Sequence, residues 1–96
     1  MMLNEFLKAA VELDADELEF EYKGRALRVT AFRGAMGVGI GSVESNSTDC
    51  KKLIDDLASL KKRKRAEIAG QNWRAAVSEY ESFGELAWRV RLAKPT

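Results

Sequence analysis

The sequence predicts an α+β fold: helix, three strands, helix, three strands, forming an antiparallel sheet with both helices on one face. Three observations predict it. Apolar residues recur at helical spacing in two segments, 3–13 and 50–60. Between and after those segments they alternate with polar residues at period two. The connections between the alternating runs are short, which requires antiparallel pairing. The 96 residues are expected to form one domain, 1–96, with one core.

Taken in order, Leu3, Phe6, Leu7, Ala10 and Leu13 form the apolar stripe of a first helix, with Glu5, Lys8 and Glu12 between them. Asp14 to Glu17 reads as its exit. Leu18, Phe20 and Tyr22 then alternate with Glu17, Glu19, Glu21 and Lys23, which predicts a half-buried strand. Gly24-Arg25 is a tight turn into a second strand, Ala26 to Arg33, with Leu27, Val29 and Ala31 on one side and Arg28 and Thr30 on the other. In the third, Met36 to Val43, the apolar Met36, Val38 and Ile40 alternate with Gly37, Gly39 and Gly41. A dinucleotide-binding turn needs G-x-G-x-x-G opening a helix, and here the spacing is G-x-G-x-G in a strand-like run. The expectation is a strand with one bare face, where a helix or another backbone approaches closely.

Ser42 to Thr48 is polar, and Asn46 or Ser47 can cap the second helix, with Asp49 in its first turn. That helix buries Cys50, Leu53, Ile54, Leu57, Ala58 and Leu60, and ends in a basic run that complements the negative end of its dipole. Ala66 to Ala69 is a short strand, with Gly70-Gln71-Asn72 as its turn. Trp73 to Tyr80 and Leu86 to Leu92 are two more, joined around Ser82-Phe83-Gly84. In the last, Leu86, Trp88, Val90 and Leu92 are expected to face inward, and Glu85, Ala87, Arg89 and Arg91 outward.

The formal net charge is +1, yet it is unevenly spread. Residues 1–49 hold 9 acids and 5 bases, and residues 50–96 hold 6 acids and 11 bases, giving −4 and +5. The acids crowd around Glu17, Glu19 and Glu21, and the bases at Lys61, Lys62, Arg63, Lys64 and Arg65. Two readings follow. The halves neutralise each other within the domain, or each offers a charged face to a partner or neighbouring subunit.

The same counts exclude much chemistry. There is no histidine and a single cysteine. The commonest general base and metal ligand is therefore absent, as is any multi-cysteine zinc site or internal disulfide framework. Cys50 lies on the apolar stripe of the second helix and reads as a buried structural thiol. Glu17, Glu19 and Glu21 could hold a hard cation, but strict alternation makes them a solvated strand face. No catalytic residue, metal site or cofactor is expected. The basic run could bind nucleic acid, extended by Arg28, Arg74, Arg89 and Arg91 if their strands share a face, but the near-zero net charge and the lack of paired stacking aromatics argue against it. No run of about 20 apolar residues is present, so no membrane span is expected. No signal-peptide pattern opens the chain, and the expected location is cytoplasmic.

Two stretches resemble a known family. Phe6-Leu7-Lys8-Ala9-Ala10 running into Asp14-Ala15-Asp16-Glu17-Leu18-Glu19-Phe20-Glu21 is similar to the opening of the N-terminal domain of type II secretion and type IV pilus assembly ATPases, where a helix enters a Gly-Ala-Ser-Asp-Ile-His-Ile-Glu stretch. Ala76-Val77-Ser78, Gly84-Glu85 and Trp88-Arg89-Val90-Arg91-Leu92-Ala93-Lys94 resemble that domain's closing strands. The family's histidine falls on Glu19 and its arginine before Val-Ser on Ala76. The segment between Leu60 and Ala66 is shorter, and no Walker A sequence is present. The resemblance implies a PAS-like domain without its ATPase motor, retaining shape and protein-binding surface but not nucleotide chemistry.

The expected function is a non-catalytic protein-interaction module, an adaptor or regulator whose partner is a secretion or pilus ATPase or its platform. Its docking surfaces would be the basic face, Lys61, Lys62, Arg63, Lys64 and Arg65, and the acidic face, Glu17, Glu19 and Glu21. The alternatives are a nucleic-acid-binding module using the run 61–65 and a small secretion-chaperone-like dimer.

Overall fold

The computed structural model describes residues 2–94. Its elements are α1 (Leu3–Glu12), β1 (Glu17–Lys23), β2 (Ala26–Arg33), β3 (Met36–Glu44), α2 (Thr48–Arg63), β4 (Arg65–Ile68), β5 (Gln71–Ser82) and β6 (Glu85–Ala93). All six strands join one sheet in the spatial order β3-β2-β1-β6-β5-β4, and every pairing is antiparallel.

The α+β expectation, built from a helix and three strands given twice, is corrected by this arrangement. Strand makes up 53% of the described residues, and the sheet curls, so the architecture is a strand-dominated curled sheet carrying two helices. The physical reason is a pairing that hairpin signals do not reveal. β1 lies against β6 as well as β2, with Leu18 opposite Val90 and Phe20 opposite Trp88. The two three-strand runs are therefore halves of a single ladder system, not successive units.

Alternation along each strand gives the sheet two unlike faces. On the inner face Leu18, Phe20, Leu27, Val29, Trp73, Ala75, Trp88 and Val90 form one buried cluster with Phe6 and Leu7 of α1 and Leu53, Leu57 and Leu60 of α2. Phe6 and Phe20 meet edge to face, with centroids 6.2 Å apart. Burying each such large side chain is worth about 1.5–3 kcal/mol relative to leaving it exposed, so this layer supplies most of the drive to fold. No helix among the described residues is long and apolar enough to cross a membrane.

The helices are fixed at their ends. The backbone N–H of Met2 donates to the Glu5 carboxylate at 3.0 Å at the start of α1. At the start of α2 the Ser47 hydroxyl accepts from the Cys50 N–H at 3.1 Å, which makes Ser47 rather than Asn46 the cap. At its end Lys64 turns left-handed, φ 62°, and its N–H donates to the Leu60 carbonyl at 2.8 Å.

Several local expectations are also corrected. Leu13 is the C-cap of α1 and is exposed, and Ala58 of α2 faces solvent. The turn between β4 and β5 is Ala69-Gly70, both at positive φ, so Gln71 and Asn72 belong to β5. Leu86 is exposed while Ala87 is fully buried. β1 pairs with β6 only as far as Trp88 although both strands continue, so they part there and Leu86 has no partner from β1 in the ladder. The bare strand β3 is an edge strand, and its glycines are exposed rather than covered by a helix or backbone. Nothing lies within 4 Å of a Cβ built on Gly39. At Gly37 it is an aromatic side chain that comes close: a Cβ there would sit 2.6 Å from the Phe32 ring, so only glycine leaves that ring in place.

Candidate functional site

The outer face of the sheet is built from the charged residues that alternate with the core. β1 supplies Glu17, Glu19 and Glu21. The register sets Arg91 of β6 opposite Glu17, Arg89 opposite Glu19 and Arg28 of β2 opposite Glu21. The Arg91 Nε donates to Glu17 Oε1 at 3.1 Å. Arg89 reaches both acids, with Nε 3.6 Å from Glu17 Oε1 and Nη2 3.6 Å from Glu19 Oε1. Its Nε is buried and makes no hydrogen bond among the described residues, so the pairing there is electrostatic rather than a closed N–H···O contact.

Tyr80 of β5 completes the cluster. Its hydroxyl donates to Glu19 Oε1 at 2.9 Å, and the Arg89 guanidinium lies 4.9 Å from the centre of its ring. Burial first, and then the hydrogen bond to the Glu19 carboxylate, push the Tyr80 hydroxyl up to about 12. The Glu17 and Glu19 side chains are 19% exposed. Two of the three glutamates expected as a docking face are thus engaged inside the domain, by the same Arg89 and Arg91 that a nucleic-acid reading would have used. Glu21 makes no ion pair among the described residues and, with Arg28, lines a shallow outer cleft of about 500 Å³ beside the glycines of β3.

The basic run lies at the opposite end of β5 from the Phe83 turn. Lys61, Lys62 and Arg63 form the last turn of α2, Lys64 is its left-handed cap and Arg65 opens β4. All five are exposed. Arg65 pairs with Arg74 of β5, so Arg74 joins the same corner. Lys61, Arg63, Lys64, Arg65 and Arg74 line one open cleft of about 690 Å³, floored by Ala75, Ala76 and Val77. Lys61 reaches Glu79 at 3.7 Å. Lys62, Arg63, Lys64, Arg65 and Arg74 make no ion pair among the described residues. This corner is where the excess positive charge of the second half collects.

The remaining candidates are placed as follows. Cys50 is 1% exposed, with its sulfur 4.0 Å from the Tyr22 hydroxyl. Burial, and then the neighbouring thiol, raise the Tyr22 hydroxyl above its ordinary value. Trp73 Nε1 is buried with no hydrogen-bond partner among the described residues.

Sequence reading missed two features. The pairing of Glu17 and Glu19 with Arg89 and Arg91 follows from the β1–β6 ladder, which no local signal announces. The second is a length mismatch that was legible: β4 has 4 residues and β5 has 12, so β4 pairs with only the start of β5 beside the basic corner. Compared with known proteins, the chain matches no family model and no curated sequence.

Proposed function

We propose that the chain is a non-catalytic protein-interaction module, an adaptor or regulator that docks through the basic corner at Lys61–Arg65. The observation that carries this reading is an imbalance: Glu17 and Glu19 of β1 meet arginines within the fold, while Lys62, Arg63, Lys64, Arg65 and Arg74 meet no acid among the described residues. Unpaired surface charge of one sign steers a partner of opposite sign and sets the register of docking. The buried position of Cys50 and the absence of histidine support a binding role over a catalytic one. The resemblance to secretion and pilus ATPase N-terminal domains adds the class of assembly, with the ATPase or its platform as partner.

The test is affinity capture from a cytoplasmic extract with the purified chain and its Lys62→Glu/Arg63→Glu variant. A discrete partner retained by the first and lost from the second is the expected result; recovery unaffected by reversal sinks the corner as the docking site. The same corner favours nucleic acid as the second reading. Filter binding of single- and double-stranded DNA and RNA at two salt concentrations decides it, since phosphate contacts by lysine and arginine weaken steeply with salt. A third reading, a small dimer of secretion-chaperone type, stands or falls on the sedimentation coefficient.

A further inference from the structure

β5 is the longest strand, and its neighbour β4 covers only its first third. β4 pairs with residues 71–74, and Arg65 opposite Arg74 is the last pair of that ladder. β6 pairs with β5 from Arg74 to Ser82 on the other side. The two-residue turn at Phe83-Gly84 makes Ser82 and Glu85 a hydrogen-bonded pair, and such pairs then recur at every second residue. Val77, Glu79 and Glu81 fall between them, so their backbone N–H and C=O point away from β6. The hydrogen bond from the Ala75 N–H to the Lys64 carbonyl, 3.0 Å, fixes the same direction. Among the described residues no strand pairs with that side of β5 beyond Ala75. Ser78, Glu79 and Glu81 are exposed, and Lys61 of α2 reaches Glu79 at 3.7 Å beside this edge. Roughly 20 Å of unsatisfied ladder is left open there.

The cationic cleft lies at one end of this edge, because its floor is Ala75, Ala76 and Val77. We propose that the edge from Val77 to Ser82 takes an extended strand of a partner protein, whose acidic end sits in the cleft among Arg63, Lys64, Arg65 and Arg74. The inference rests on the docking corner proposed above and adds the partner's shape and charge pattern. Main-chain hydrogen bonds to Val77, Glu79 and Glu81 supply affinity, and the cations select the end and the register. A polyanion is a poorer occupant. A phosphate backbone following the edge would leave the cations and run beside Glu79 and Glu81, whereas a peptide with acids at one end only avoids both.

The probes are two fluorescein-labelled peptides, a Thr-Val-Thr-Val-Thr tract with Asp-Glu-Asp at one end or the other, titrated by anisotropy. Copies N-methylated at alternate residues cannot complete the ladder and serve as controls. One polarity should bind, its N-methylated copy about tenfold more weakly or worse, and Lys64→Glu/Arg74→Glu should weaken it to a similar extent. Glu79→Pro removes one outward N–H and should weaken binding well beyond Glu79→Ala, which keeps that N–H. If Glu79→Pro does not fold, the N-methylated peptides decide alone. If they bind as well as the plain ones while charge reversal abolishes binding, strand addition is overturned and the docking corner stands. If neither polarity binds at about 1 mM, strand addition is overturned whatever the capture experiment gives. If a thymidine oligonucleotide binds where the peptides do not, the occupant is nucleic acid.

Discussion

The centre of the outer face and the corner beyond α2 are both crowded with charge, yet they are in opposite states. At the centre, Glu17 and Glu19 meet Arg89, Arg91 and Tyr80 within hydrogen-bonding or ion-pairing distance. At the corner, Lys62, Arg63, Lys64, Arg65 and Arg74 meet no acid among the described residues. The cause is topological. Strand pairing brings two acids of the first half, Glu17 and Glu19, against arginines of the second where β1 touches β6. The corner is built from α2, β4 and the start of β5, all from the basic half. Charge that folding neutralises holds a structure together, and charge that folding leaves unpaired is available to something else.

That contrast can be broken from either side. The largest effect is expected at the centre. Glu17→Ala/Glu19→Ala leaves two arginines and a phenol without their acceptor, and urea unfolding should show a loss of about 2–3 kcal/mol. A loss under 0.5 kcal/mol would make the centre as dispensable as an ordinary exposed ion pair.

The next effect is on titration. Folding raises the Tyr80 hydroxyl from 10.0 to about 12, so the folded chain holds that proton more tightly than the unfolded one. The stabilisation is full below pH 10 and is lost as pH rises from there through about 12. Ultraviolet titration should find one tyrosine ionising near 12, and Glu19→Gln should move that transition downward. An unmoved transition would leave burial as the whole cause.

A smaller gain is expected at the corner. Lys64 is left-handed with φ 62°, a conformation that costs a side-chain-bearing residue more than glycine. Lys64→Gly should stabilise the chain by about 0.5–1 kcal/mol, read as a higher melting temperature. The smallest effect sharpens the contrast most: Arg63→Glu/Arg65→Glu should change stability by no more than about 0.5 kcal/mol. A clear loss of stability would mean that the corner serves the fold rather than a partner.

Much of this was legible in the sequence, and the limits have physical causes. The alternation from Glu17 to Lys23 and from Ala26 to Arg33 marks β1 and β2 to the residue, because each has one buried face. The helical stripe and Ser47 mark α2, since capping and periodicity are local. What failed depends on distant neighbours. Whether Leu86 is covered depends on where β1 and β6 part, and whether Ala87 is buried depends on the strand opposite. The glycines of β3 looked like a site of close approach, but an edge strand leaves a bare face open to solvent. The basic run was visible as composition, and its cleft was not, because Arg74 and Ala75 reach it from a different hairpin.

The junction of β1 with β6 also dictates the order of events at the ribosome. Glu17 and Arg91 touch across 74 residues of chain, and their strands form the middle of the sheet. Until β6 emerges, the nascent chain holds a hairpin set, β1 to β3, with the inward edge of β1 unpaired. Contacts of such long sequence separation are slow to form because loop closure precedes any reward. β6, the last of the six strands in chain order, is therefore the one that joins the two halves, and the sheet cannot close until it has been made. In the interval the acids of β1 keep that edge charged, which discourages one nascent chain from pairing with another.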